Sequence, residues 1–322
     1  MIPVVDLRAE TAGTDFDRAL RQLGFVELIG HGLDPVALSG LRSACDSFFD
    51  LSGAAKMTYV EPDPLANRGF RSKGSEALAF SLGDSTPPDL FESFNSGPDD
   101  RVTEGIELIR QTPWPDDTVP SFRPAAIAYL AEMARISSEI DDIVGSCIGI
   151  ADLADRSRLG PDTMACIDYR PGPDGSEETE PDQQRMGAHS DYTTFTVLHA
   201  DSVAGLQIID ANGRWIDVVP TPGSLLMNVG DLLAIWTNDV WPSTLHRVVP
   251  ISGGAAPRRR SIAYFHYPDL AVVAEPLDGF VTASRPARYD PVAVGDHLRG
   301  KLAAPKNQTA PTTALTIADR PH

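Results

Sequence analysis

Cysteine is scarce: 322 residues hold three, Cys45, Cys147 and Cys166, far apart and with no CxxC pair. A set this sparse and odd excludes a disulfide-stapled scaffold and reads as reduced thiols in a cytoplasmic protein. Long apolar runs are missing too, since none approaches the roughly 18 residues of a membrane span. The opening residues, MIPVVDLRAE, carry neither the basic start nor the apolar stretch of a signal peptide. Positive charge is in short supply, with 27 Lys+Arg against 45 Asp+Glu and a net charge of −18. That balance argues against nucleic acid or an anionic membrane as partner, because both require a basic patch. Without a fixed-period repeat, solenoids and propellers are set aside. What remains is ordinary globular composition, 42% hydrophobic and 22% charged, on a chain long enough to bury a sizeable core. The expectation is a cytoplasmic monomer.

The apolar pattern changes along the chain. Ile2–Leu7 and Gly24–Gly30 read as strands, with Phe16, Leu20 and Leu23 on a short helix between them. From Asp34 a helix is expected, with Asp34 as N-cap, Pro35 at the first helical position, and Leu38, Leu41, Cys45, Phe48 and Phe49 on one face. Residues 60–120 are rich in Pro, Gly, Asp and Ser and read as irregular, the texture of a binding loop. Ile127, Leu130, Met133, Ile136, Ile140, Ile143 and Val144 then mark a long amphipathic helix over 121–150. Beyond residue 160 short β-rich runs alternate with turn residues: 164–169, 193–198, 205–209, 215–219, 224–229, 232–236 and 261–267. Asn212-Gly213 makes a good hairpin turn, and this half suggests an all-β sandwich or barrel. Pro171–Arg185 reads as an acidic exposed loop, and 303–322, rich in Pro, Thr and Ala, as a flexible tail.

The chemistry concentrates in the β-rich half. His189-Ser190-Asp191 sets two ligand-capable side chains two residues apart, on one face of an extended chain. His246 lies in another strand-like run, Ser-Thr-Leu-His-Arg-Val-Val. Two imidazoles and a carboxylate suit non-haem Fe(II), with open positions on the opposite side, although zinc accepts the same ligand types. Downstream, Arg259 and Ser261 share a strand face, where a guanidinium beside a hydroxyl can grip a carboxylate. Ala263 and Phe265 continue that face, so Phe265 is expected to wall the pocket, with a core role between sheets as the alternative. Arg258 and Arg260, on the other face, read as a solvated basic patch.

The stretches IPVVDL, GFVELIGHG, PPDLFESFNSGP, AHSD, GLQI, NVGDLLAIWTNDVWPSTLHRVV and RRSIAYF, in that order over most of residues 2–267, resemble the isopenicillin N synthase-like family of non-haem Fe(II), 2-oxoglutarate-dependent dioxygenases. The resemblance implies an all-β core with flanking helices, a double-stranded β-helix or jelly roll. It implies one oxygenase domain over 1–322, with a helical and irregular N-terminal region at 1–120 and a jelly-roll core carrying the metal at 160–270. It also implies His189, Asp191 and His246 as iron ligands, Arg259 and Ser261 on the far carboxylate of 2-oxoglutarate, and O2 as oxidant. A small-molecule substrate would be hydroxylated, desaturated or cyclised while 2-oxoglutarate becomes succinate and CO2. A composition rich in Ala, Asp, Arg and Pro fits bacterial secondary metabolism.

One departure stands out. Where relatives often carry Asn-x-Tyr before a proline, this chain has Asp168-Tyr169-Arg170-Pro171. Either Arg170 faces the site, or the strand is shifted by one and Tyr169 does; the sequence leaves both open. His199 and His31 read as structural, and His266 is expected to face outward, opposite Phe265. Other readings remain: an iron oxidase of the same family that needs no 2-oxoglutarate, a metal-dependent hydrolase, and a non-catalytic jelly-roll binding protein. The substrate is not legible.

Overall fold

The computed structural model describes residues 2–63, 66–82, 86–101, 108, 110–172, 179–251 and 256–307, with the backbone alone at 81 and 303–307. The first half holds β1 (Val4–Asp6), α1 (Ala12–Leu23), β2 (Phe25–Ile29), α2 (Pro35–Phe49), α3 (Gly53–Met57), β3 (Gly69–Arg71), β4 (Glu92–Ser96), α4 (Phe122–Ile148) and α5 (Leu153–Ser157). The second holds β5 (Thr163–Tyr169), β6 (Met186–His189), β7 (Phe195–Ala200), β8 (Leu206–Ile209), β9 (Trp215–Asp217), β10 (Leu225–Val229), α6 (Asp231–Trp236), β11 (His246–Val248) and β12 (Arg259–His266). The short pair β13 (Val273–Ala274) and β14 (Val292–Ala293) follows, and then α7 (Val294–Asn307).

Eight strands form the larger sheet, in the order β1-β2-β10-β7-β12-β5-β4-β3; the smaller sheet runs β6-β11-β8-β9. Their facing sides make the jelly roll. Between them lies a modest apolar cluster of Phe25, Phe91, Ala165, Ile167, Tyr169, Met186, Leu206, Ile208 and Val248. The outer face of the larger sheet carries the main core, where Ile262, Tyr264, Cys166 and Val197 meet Phe48, Phe122, Met133 and Ile140 of α2 and α4. Period-two alternation therefore makes β12 two-sided: Arg259, Ser261, Ala263 and Phe265 line the cavity between the sheets, while Ile262 and Tyr264 pack under the helices.

Local chemistry explains most elements. Asp34 caps α2, its carboxylate accepting from the Val36 amide at 2.8 Å, with Pro35 opening the helix. α4 follows the buried stripe Ala126, Leu130, Met133, Ile136, Ile140, Val144, whereas Ile127 is half exposed. The Asn212-Gly213 turn joins β8 to β9, with Gly213 at φ 75° and its amide donating to the Asp210 carbonyl at 2.9 Å.

Three readings are corrected. Residues 232–236 form helix α6, not a strand, because a short apolar run buried on every side lacks the periodicity that separates the two. Residues 60–120 supply β3 and β4, which extend the larger sheet through β5. α7 carries helix to Asn307, five residues into the stretch read as tail; 308–322 lie outside the described residues, as does the middle of the Pro171–Arg185 loop.

Candidate functional site

Antiparallel pairing of β11 with β6 sets His246 directly opposite His189, which brings together two residues 57 positions apart in the chain. Asp191 lies just past the end of β6. One ligand atom from each of the three falls within 4.8 Å of the others. Both Nε2 atoms face Asp191 Oδ1, at 3.8 Å from His189 and 3.7 Å from His246.

Each of the three side chains is oriented from behind. His189 Nδ1 lies 2.8 Å from the Gly187 carbonyl oxygen and His246 Nδ1 3.2 Å from that of Thr244. Carbonyls only accept, so Nδ1 carries the proton and Nε2 keeps its lone pair for the cavity. Asn228 Nδ2 donates to Asp191 Oδ2 at 2.7 Å, leaving Oδ1 for the cluster. Burial, and then the neighbouring His246, pushes His189 down to about 4 against the pull of Asp191. His189 is therefore a neutral imidazole at ordinary pH, the form that binds a metal. Phe25 meets the His246 ring edge-on at 5.6 Å. Two imidazoles and one carboxylate, aimed at one point on a cavity wall, fit a divalent iron with open positions.

Arg259 is 1% exposed. Its Nη1 reaches Ser261 Oγ at a long 3.4 Å, its Nε has no hydrogen-bond partner among the described residues, and its guanidinium lies 5.0 Å from the Tyr169 ring centre. Among the described residues no carboxylate forms an ion pair with it. A buried cation without a counter-charge is costly, so this end of the cavity suits an anion.

The register decides between the two candidates before Pro171. Tyr169 pairs with Arg259 and Asp168 with Arg260, so Tyr169 points into the cavity and is fully buried, its hydroxyl donating to Met186 Sδ at 3.7 Å. Arg170 turns outward, to Asp50 Oδ1 at 2.7 Å and Asp168 Oδ2 at 3.2 Å, and takes no part in the site.

Two further expectations change. Arg258 and Arg260 are not a solvated patch. Arg258 clasps the buried Asp168 carboxylate at 2.8 and 2.9 Å, and Arg260 clasps Asp46 of α2 at 2.9 and 2.8 Å. His266 points away from the cavity as alternation requires, yet it is buried beneath α4, with Nε2 2.8 Å from Asp141 and Nδ1 3.1 Å from Asp162. His31 and His199 lie off the cavity; the former's Nε2 meets the Gly223 carbonyl at 3.0 Å. Phe265 lines the cavity and is partly buried.

Asn67, Asn95, Tyr192, Asn228 and Tyr267 also line the cavity and were not singled out from the sequence. Asn228 stood in the run NVGD and Asn95 in FESFNSGP, but only pairing of β4 with β5 and of β10 with β7 turns them inward.

Residues 161–268 match the model of the 2OG-Fe(II) oxygenase superfamily, and residues 2–117 match that of the non-haem dioxygenase in morphine synthesis N-terminal. The chain is 30% identical over 297 residues to Validamycin A dioxygenase of Streptomyces hygroscopicus subsp. limoneus, covering 86% of this chain and 81% of that protein. It is 29% identical to Gibberellin 2-beta-dioxygenase 3 of Arabidopsis thaliana, covering 90% and 82%. Among solved structures, a full-length Neurospora crassa protein in complex with alpha-KG superposes with a TM-score of 0.81 at 29% identity, over 94% of this chain and 96% of that one.

Proposed function

Because the chain belongs to the 2OG-Fe(II) oxygenase superfamily, we propose that His189, Asp191 and His246 hold its iron and that Arg259 and Ser261 hold the far carboxylate of 2-oxoglutarate. The family uses Fe(II), 2-oxoglutarate and O2, and its substrates here are small molecules. The observation that carries the assignment is the buried, uncountered Arg259 sharing one cavity with the two histidines and the aspartate. Bound iron supplies O2 activation coupled to decarboxylation of 2-oxoglutarate to succinate and CO2, which oxidises the substrate, by hydroxylation unless its pose favours desaturation or ring closure.

The protein's share is orientation and exclusion of water. Asn228 and the carbonyls of Gly187 and Thr244 fix the three ligands. Arg259, backed by the Tyr169 ring, sets the direction of the cosubstrate before substrate arrives, which removes orientational freedom from the reacting groups. Met186, Leu206 and Val248 keep that end apolar, so the ion pair works in a water-poor setting. The whole of 1–322 acts as one oxygenase domain. Likeness to Validamycin A dioxygenase supports a place in the tailoring of bacterial secondary metabolites. Succinate formed in proportion to oxidised product, dependent on Fe(II), tests the reading; O2 uptake with substrate but without 2-oxoglutarate would replace it with the cosubstrate-independent oxidase.

A further inference from the structure

The N-terminal half contributes Asn67, Ser93 and Asn95 to the cavity lining. Register places Asn95 of β4 level with Ala165 of β5 and Ala263 of β12. Two alanines side by side, each 5% exposed, keep the floor of the cavity low on β5 and β12, and Leu198 of β7 stands next in the same row. Asn95 stands at the edge of that floor. It is 7% exposed, and its Oδ1 has no hydrogen-bond partner among the described residues. Its Nδ2 is already engaged, donating to Asn67 Oδ1 at 2.7 Å, so the amide is held with the acceptor end unsatisfied.

Asn67 is held in turn. Its backbone carbonyl accepts from Arg68 Nη1 at 2.9 Å, and the same nitrogen donates to Thr163 Oγ1 at 2.7 Å. Gly69 follows at φ +78°, where a Cβ would come within 2.4 Å of the Tyr59 carbonyl oxygen. The Asn67 backbone is thus anchored, and nothing in this corner among the described residues donates to Asn95 Oδ1. A buried acceptor left unmade is costly, and here the cavity is what lies beside it.

Charge narrows the ligand further. Among the described residues lining the cavity Arg259 is the one arginine or lysine, and Glu76 is engaged with Arg71, Nη1 to Oε1 3.4 Å. A carboxylate substrate would find no cation besides the one assigned to 2-oxoglutarate. We propose that Asn95, positioned by Asn67, is a specificity-determining residue that selects neutral substrates presenting an N–H donor: amides, lactams, ureides or nitrogen heterocycles. This rests on the assignment of Arg259 to the cosubstrate.

The test is calorimetric titration under anaerobic conditions into protein loaded with Fe(II) and 2-oxoglutarate. The panel is thymine, hydantoin and nicotinamide, the fully N-methylated form of each, in which no N–H remains, and indole-3-acetate. At least one N–H compound is expected to bind, with N-methylation weakening it at least about tenfold, or ~1.4 kcal/mol. Asn95→Leu should weaken the same compound by a similar factor and erase the difference between methylated and unmethylated forms, with 2-oxoglutarate affinity unchanged. Asn67→Ala, which frees the amide to turn, should give a smaller loss in the same direction. The proposal is overturned by equal binding of methylated and unmethylated forms, by full affinity in Asn95→Leu, by tighter binding of indole-3-acetate than of every neutral compound, or by no binding across the panel. Failure of the unaltered protein to bind 2-oxoglutarate would remove the Arg259 assignment and this inference with it. Failure of Asn95 alone would leave cosubstrate binding intact.

Discussion

A single guanidinium gives one end of the cavity its positive charge, and its neighbours in sequence make good controls. Arg259→Leu should raise the 2-oxoglutarate dissociation constant at least about a hundredfold, since losing one side of a buried charge pair costs about 3–5 kcal/mol, while iron content by metal analysis stays normal. Arg260→Leu should leave that constant unchanged and act on stability alone, because its guanidinium faces Asp46 on the opposite side of β12. A cosubstrate effect from Arg260 with none from Arg259 would defeat the assignment. Asn228→Leu strips Asp191 Oδ2 of its donor and is expected to lower iron affinity by about 10–100-fold, read by competition with a chelator. At this scale much was legible. HxD, the distant His246 and Arg259-x-Ser261 are picked out as candidates by residue type and period-two spacing, and the family resemblance supplies the roles expected of them. Tyr169 against Arg170 was not legible, because the choice depends on which residue of β5 pairs with Arg259, and pairing across a sheet leaves no mark in one strand's own sequence.

Elements are joined across the larger sheet by His266. Burial alone would lower it, but Asp141 of α4 and Asp162 beside β5 overcome that and hold it up at about 10. The folded value lies above the ordinary 6.5, so the imidazolium stabilises the fold fully below about pH 6.5, and the contribution fades as pH rises through 10. Melting temperature should therefore fall between pH 7 and 10 more steeply in the unaltered protein than in His266→Gln, and the gap between them should close toward pH 10. A constant gap over that range would show that His266 is not charged. Alternation placed His266 opposite Phe265, yet it could not supply α4 on that side, and so burial was missed. The same limit explains α6: Leu232–Trp236 is apolar throughout, and only its surroundings choose helix over strand. Long periodic elements such as α4 needed no such help.

For the whole molecule, ligands that bind only the folded state raise its stability in proportion to occupancy. At a hundred times the dissociation constant the gain is about 2.7 kcal/mol, or roughly 4 °C for a chain of this length at ~2.1 cal/mol/K per residue. Mn(II) followed by 2-oxoglutarate should thus raise the melting temperature in two steps, and Arg259→Leu should keep the first and lose the second. Loss of both would mean that the variant disrupts the metal centre, and retention of both that the anion lies elsewhere. The overall architecture was legible because strand-rich runs crowd the second half, whereas the part played by residues 60–120 was hidden by their irregular composition. That part has a consequence for how such chains can diversify. His189, Asp191, His246, Arg259 and Ser261 come from residues 189–261, while Asn67 and Asn95 come from the first hundred, and the two meet along a single ladder in which Asn95 faces Ala165. Exchange of the N-terminal segment between homologues, at a junction that preserves this register, would graft a new selectivity onto an untouched reaction centre; a junction one residue out would turn the grafted wall to face the helices instead.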